Sequence, residues 1–179
     1  MELVHLKSGR TIGIRPIAAD DGPALSASYE RLSERSKYQR FLGPKPFLSA
    51  SEVRYLTEID GSNHFALVAT SAEDPTWIIA VGRCVRLHDD PSAAEFAIVV
   101  GDPYQGEGIA TELLNRLAAD AAASGVERVT ATMLADNLAA HRLMRRLAAA
   151  WRSPGQVAEL TLSERHTGPT DDLEVALAA

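Results

Sequence analysis

The sequence predicts an α+β fold: a mixed, mostly antiparallel central sheet of about seven strands flanked by about four helices, in a single domain spanning residues 1–179. Three observations carry this expectation. From Phe65 the apolar pattern repeats every second residue through segments 65–70, 77–87 and 94–100, parted by the turn formers Asp74-Pro75 and Asp89-Asp90-Pro91, which reads as an antiparallel meander. The third segment runs into 108–124, where Ile109, Leu113, Leu114, Leu117, Ala118 and Ala121 fall on one helical face. A chain of 179 residues with 46% hydrophobic residues also has enough apolar volume for one core, hiding roughly 70% of its unfolded surface.

The remaining elements follow in order. Residues 3–6 and 11–15 alternate around Lys7-Ser8-Gly9, the pattern of a short hairpin. Asp20 and Asp21 stand as acidic caps ahead of Pro23, and Leu25, Tyr29 and Leu32 follow at helical spacing. A basic and aromatic stretch, 33–41, precedes the breaker Gly43-Pro44-Lys45-Pro46. Ser49 and Glu52 form a capping box, with Gly61 placed to end that helix. Beyond the long helix, stopped by Gly125, residues 126–134 alternate through Val129, Ala131 and Met133. Asp136 or Asn137 then caps a helix running to about Ala149. Segments 157–162 and 173–177 close the chain as a strand pair around Thr167-Gly168-Pro169-Thr170.

Charge excludes some functions. With 18 Lys and Arg against 24 Asp and Glu, the net charge is −6, so neither nucleic acid nor an anionic membrane is an expected partner. One cysteine makes neither an intrachain disulfide nor a four-cysteine zinc site. Residues 1–10 lack a basic start followed by an apolar stretch, and no apolar run approaches the roughly 20 residues that span a bilayer. The expected location is the cytoplasm.

The chemistry concentrates where strand 94–100 meets the long helix, in Ile98-Val99-Val100-Gly101-Asp102-Pro103-Tyr104-Gln105-Gly106-Glu107-Gly108-Ile109-Ala110-Thr111. Amides at a helix start are unpaired and carry partial positive charge, so closely spaced glycines let a pyrophosphate approach them. Glycine pairs also serve close helix-to-sheet packing, and the turn alone does not decide between the two. A P-loop is excluded because Ile109-Ala110 follows Gly108 where Lys and Ser or Thr are required. The dinucleotide fingerprint is excluded by Thr111 in place of a third glycine or alanine, and by the antiparallel strands that precede.

Gln105-Gly106-Glu107-Gly108-Ile109-Ala110 after Ile98-Val99-Val100 resembles the acetyl-CoA signature of the GNAT acetyltransferases, and the element order matches their fold along nearly the whole chain. Residues 31–41, with Ile14-Arg15-Pro16-Ile17 and Ala94-Glu95-Phe96-Ala97, resemble the catalytic domain of Pat-type protein lysine acetyltransferases. The resemblance implies that Ile98, Val99 and Val100 offer backbone hydrogen bonds to a pantetheine arm lying along the strand edge. Gln105 and the amides of Gly106, Glu107, Gly108, Ile109, Ala110 and Thr111 would hold the pyrophosphate, and Asn137 would contact the pantetheine amide. It further implies acetyl-CoA as cofactor, coenzyme A as product and no metal. The chain departs from many relatives in its phosphate turn, where Gln105 and Glu107 replace basic residues; binding should then rest on backbone dipoles, with Glu107 facing solvent. Where many GNAT enzymes carry a tyrosine that protonates the leaving thiolate, this chain has Met144.

An amine must be neutral to attack a thioester, and lysine at pH 7 is only about 0.04% neutral. The resemblance assigns the proton acceptor to Glu95, a carboxylate interrupting an otherwise apolar strand. Arg31, Arg35, Lys37, Arg40 and Lys45 beside Tyr38 and Phe41 form a basic cluster, read as a solvated helix face or as a surface docking substrate or cofactor phosphates. His5, His64, His88, His141 and His166 make no metal-ligand spacing. Cys84 is expected as a buried, inert thiol. The expected activity is acetyl transfer to a primary amine, with a protein lysine as acceptor. A small-molecule amine acceptor and a non-catalytic acyl-CoA-binding regulatory module stay open as alternatives.

Overall fold

The computed structural model describes residues 1–150 and 159–165. Seven strands form one sheet in sequence order: β1 (Glu2–His5), β2 (Thr11–Pro16), β3 (His64–Ser71), β4 (Ile78–Arg86), β5 (Ala93–Val100), β6 (Arg128–Leu134) and β7 (Glu159–Arg165). Strands β1 to β5 pair antiparallel, whereas β6 joins β5, and β7 joins β6, in parallel. Parallel neighbours need crossovers, which are α4 (Ile109–Ala123) between β5 and β6 and α5 (Leu138–Ala150) after β6. The closing segment is thus a partner of β6; the expected mate at 173–177 lies outside the described residues.

The larger core lies under α4, where Leu113, Leu114 and Leu117 are fully buried against Ile12, Val129 and their neighbours. Gly82 on β4 permits that approach, since a Cβ there would meet Leu117 Cδ1 at 3.0 Å. The opposite face packs α1 (Gly22–Glu30) and α3 (Ala50–Thr57) through a smaller cluster that includes Leu25, Leu56, Val68 and Val81.

Several local expectations change. Asp21 does not cap α1 with its side chain; its carboxylate instead takes two hydrogen bonds of 2.6 Å from Arg15 and one from the Ala18 amide. The Ser49–Glu52 capping box forms, but α3 ends at Thr57 and Gly61 closes a turn on the carbonyl of His64. Residues 34–41 form a further helix, α2 (Glu34–Phe41), capped by Ser33. Among the described residues no helix is long and apolar enough to cross a membrane.

Candidate active site

Strands β5 and β6 pair only from Ala93 with Arg128 to Glu95 with Thr130 and then diverge, β5 running on to Val100 and β6 to Leu134. The result is a wedge with Glu95 near its apex. Each arm ends toward a helix N-terminus, since α4 follows β5 and α5 follows β6. In an antiparallel ladder alternate residues bond to one neighbour. The amide of Gly101 bonds Ile79 at 2.8 Å and that of Leu87 bonds Ala93 at 2.9 Å, so the odd-numbered residues of β5 point their polar groups at β4. Ile98 and Val100 therefore face the wedge. Val99 does not: its backbone turns to β4, and its side chain lines a cavity of about 110 Å³ with Arg31, Trp77, Val81 and Tyr104.

At the mouth of the wedge, the amide of Gln105 donates to Asp102 (3.4 Å) and the next to donate to a carbonyl is that of Glu112, to Gly108 (3.1 Å). The six amides from Gly106 to Thr111 have no carbonyl partner among the described residues. Gly106 and Gly108 sit at φ +81° and +92°, and a Cβ at either would meet nothing within 4 Å. Helix-to-sheet packing thus does not explain these glycines; backbone conformation does, and the space above them is open to a ligand. Ile109 is 1% exposed, so only its amide is available. The geometry fits a pyrophosphate, with donors at a helix start over open volume.

The turn's side chains are committed elsewhere. Glu107 is not turned to solvent: it accepts from Arg10 Nε (2.9 Å) and Ser8 Oγ (3.0 Å), tying the turn to the β1–β2 hairpin, and the Arg10 guanidinium holds its carboxyl below the usual range. Gln105 Nε2 donates to the Val100 carbonyl (3.1 Å) and to Ser36 Oγ (3.3 Å). Asp102 accepts from the Ser33 amide (2.9 Å), Ser33 Oγ (2.7 Å) and Ser36 Oγ (2.8 Å). Partial burial pushes the Asp102 carboxyl up, but these bonds outweigh it and leave the group below its ordinary pKa. They bind the start of α2 to the turn between β5 and α4. Apart from the Gln105–Val100 bond, none has a local sequence signal, because the partners are 66 to 99 residues apart.

Helix α2 packs over β5 and β6 on the face that carries Glu95. Glu95 is half-buried, and Thr132 Oγ1 donates to its Oε1 at 2.8 Å. Burial draws the Arg40 guanidinium down to about 10 against the opposing fields of Glu95 and Tyr55. Deeper in the same face Arg83, 2% exposed, donates to His64 Nε2 (2.7 Å) and to the Leu56 carbonyl (3.2 Å). Arg83 is lowered to about 9 by burial and by Arg40.

The basic cluster read from the sequence is dispersed. Arg35 is exposed, while Arg31 stacks 3.8 Å over the Trp77 ring and Lys37 is buried on Glu34 (2.8 Å). Lys45 pairs with Glu52, and Arg40 lies within the electrostatic reach of Glu95. Asn137 Oδ1 caps the Ala140 amide (3.2 Å), which leaves its amide nitrogen as a donor near the β6 arm. Met144 is 3% exposed within the larger core and has no proton to give. Cys84 is fully buried, its thiol pushed up to about 12 by desolvation.

A family model described as an acetyltransferase (GNAT) domain matches residues 11–149. The acetyltransferase Pat of Mycolicibacterium smegmatis is 36% identical over 150 residues, covering 83% of this chain and 44% of its own length. The chain thus spans less than half of that relative. An acetyltransferase of Pseudomonas aeruginosa is 30% identical over 152 residues, which are 84% of this chain and 79% of that one. The GNAT domain of S. lividans PAT is similar in structure, with a TM-score of 0.76 and 34% identity over 81% of this chain and 85% of that chain.

Proposed function

The chain belongs to the GNAT acetyltransferases, and from that premise we propose that it moves an acetyl group from acetyl-CoA to a protein lysine, with Glu95 as general base. The observation that carries this reading is the divergence of β5 from β6 beyond the Glu95–Thr130 pair. An open strand edge, a carboxylate and a row of unpaired amides then stand along one path.

The amides from Gly106 to Thr111 hold the pyrophosphate. Ile98 on the free edge of β5 binds the pantetheine arm as an added strand would, with the side-chain amide of Asn137 as a further donor. The Val100 carbonyl is already taken by Gln105, so Ile98 carries most of the edge contact. Glu95, oriented by Thr132, takes a proton from the lysine ammonium directly or through one water. The neutral nitrogen attacks the thioester carbonyl; the new C–N bond forms as the C–S bond breaks, and the second amine proton is lost to solvent. With Met144 in place of a proton donor, the sulfur departs as thiolate, tolerable for a thiol of pKa about 8.5.

Incubation of the protein with labelled acetyl-CoA and a cell lysate tests the reading. Label in protein bands supports a lysine acceptor, and label only in small solutes moves the acceptor to a small amine. Coenzyme A binding without label in either fraction leaves a non-catalytic module.

A further inference from the structure

Helix α5 carries His141, Arg142, Arg145 and Arg146 and no acidic residue, in a chain whose net charge is −6. All three arginines are exposed. Arg146 is also anchored: its Nη2 donates to Thr111 Oγ1 at 3.0 Å, which fixes a guanidinium beside the first turn of α4 and the unpaired amides. One of its five N–H donors is used there. Arg142 lies one turn earlier on the same side of α5, whereas Arg145 is turned about 100° away.

The phosphate turn itself supplies dipoles and little net charge, because Arg10 and Glu107 neutralise each other. Coenzyme A bears a pyrophosphate and, on its ribose, a 3′-phosphate. If the amides from Gly106 to Thr111 hold the pyrophosphate and the pantetheine runs inward along β5, the nucleotide leads outward past the first turn of α4. Among the described residues no carboxylate pairs with the arginines of α5, and Arg146 stands on that side. We propose that Arg146, aided by Arg142, recognises the 3′-phosphate and makes the chain discriminate coenzyme A from its 3′-dephospho form. The proposal rests on the acetyl-CoA reading above and adds to it a residue for the far end of the ligand.

Calorimetric titration of the whole chain with coenzyme A and with 3′-dephospho-coenzyme A tests it. The unaltered protein should bind the former about tenfold tighter or more, as a charge-assisted contact to a phosphate monoester implies. Arg146→Ala should bring that ratio near one while leaving affinity for the dephospho form unchanged. Arg146→Lys should retain part of the ratio, Arg142→Ala should lower it partway, and Arg145→Ala should leave it in place. An unaltered ratio in Arg146→Ala, or an equal loss for both ligands, overturns the proposal, as does equal binding of the two ligands by the unaltered protein. Absence of any coenzyme A binding overturns the acetyl-CoA reading as well.

Discussion

The hydroxyl of Thr132, two residues beyond the last β5–β6 pair, donates across 2.8 Å to Oε1 of Glu95, which belongs to that pair. The bond crosses the apex of the wedge and orients a carboxylate that would otherwise be free to rotate. Thr132→Val keeps the shape and removes the donor. Turnover should fall roughly threefold to tenfold, the range of one hydrogen bond, with KM for acetyl-CoA little changed. Thr132→Ser should restore most of the rate. Steady-state kinetics on the three proteins decides whether the bond acts on the reaction or only on the fold.

Glu95→Gln keeps size and hydrogen bonding but cannot accept a proton from the amine. Acetyl transfer should drop by roughly 10²-fold or more. Affinity for acetyl-CoA, read by calorimetry, should persist, because the turn proposed to hold the pyrophosphate follows the other end of β5. Unchanged turnover removes Glu95 from the mechanism.

Gly106 and Gly108 hold positive φ with no protein atom within 4 Å of an added Cβ. Alanine at either position must adopt a left-handed backbone at about 1–2 kcal/mol or reshape the turn. Gly108→Ala should therefore lower the unfolding free energy by that order and weaken coenzyme A binding at least tenfold. Since nothing of the protein opposes the methyl group, loss of affinity beyond the loss of stability reports on the ligand's own approach.

What the sequence made legible was periodic or local. The meander and α4 stand out because alternation and the 3.6-residue repeat are imposed by burial on one side, as at Leu113 and Leu117. Gly106 and Gly108 stand out because few other residues tolerate that backbone. Helix α2 is hidden by its composition: Glu34-Arg35-Ser36-Lys37-Tyr38-Gln39-Arg40-Phe41 has no apolar stripe, and its start is fixed by Asp102, 69 residues beyond Ser33. Glu107 reads as a surface residue until Arg10 is brought beside it by the hairpin. Val99 shares the strand with Ile98, but only the ladder's phase shows that its backbone turns the other way.

Asp102 joins the turn between β5 and α4 to α2 through Ser33 and Ser36. Asp102→Ala removes an acceptor for three donors at a helix start and should cost about 1 kcal/mol of stability. Because α2 also carries Arg40 into the field of Glu95, turnover should fall more than acetyl-CoA affinity. Hydrogen exchange supplies a second measure: the amides of α2 should lose protection in Asp102→Ala while those of α4 keep theirs.

His64 makes an acid-sensitive element beneath the site. Its Nε2 accepts from Arg83 at 2.7 Å, which requires the neutral ring, and burial together with the Arg83 charge lowers its pKa from 6.5 to about 4. The unfolded chain therefore binds the proton more readily than the folded one between those values. The stabilisation is complete above pH 6.5 and is lost as pH falls toward 4. Linkage over that interval gives about 2 kcal/mol lost between pH 7.5 and pH 5 from this residue. His64→Gln presents a carbonyl oxygen to Arg83 and does not titrate, so its unfolding free energy should change less by about that amount over the same interval. Chemical denaturation of both proteins at the two pH values measures the difference. Equal losses would show that His64 binds its proton as readily in the fold as in the unfolded chain, so that burial and the Arg83 charge do not act on it as the geometry implies.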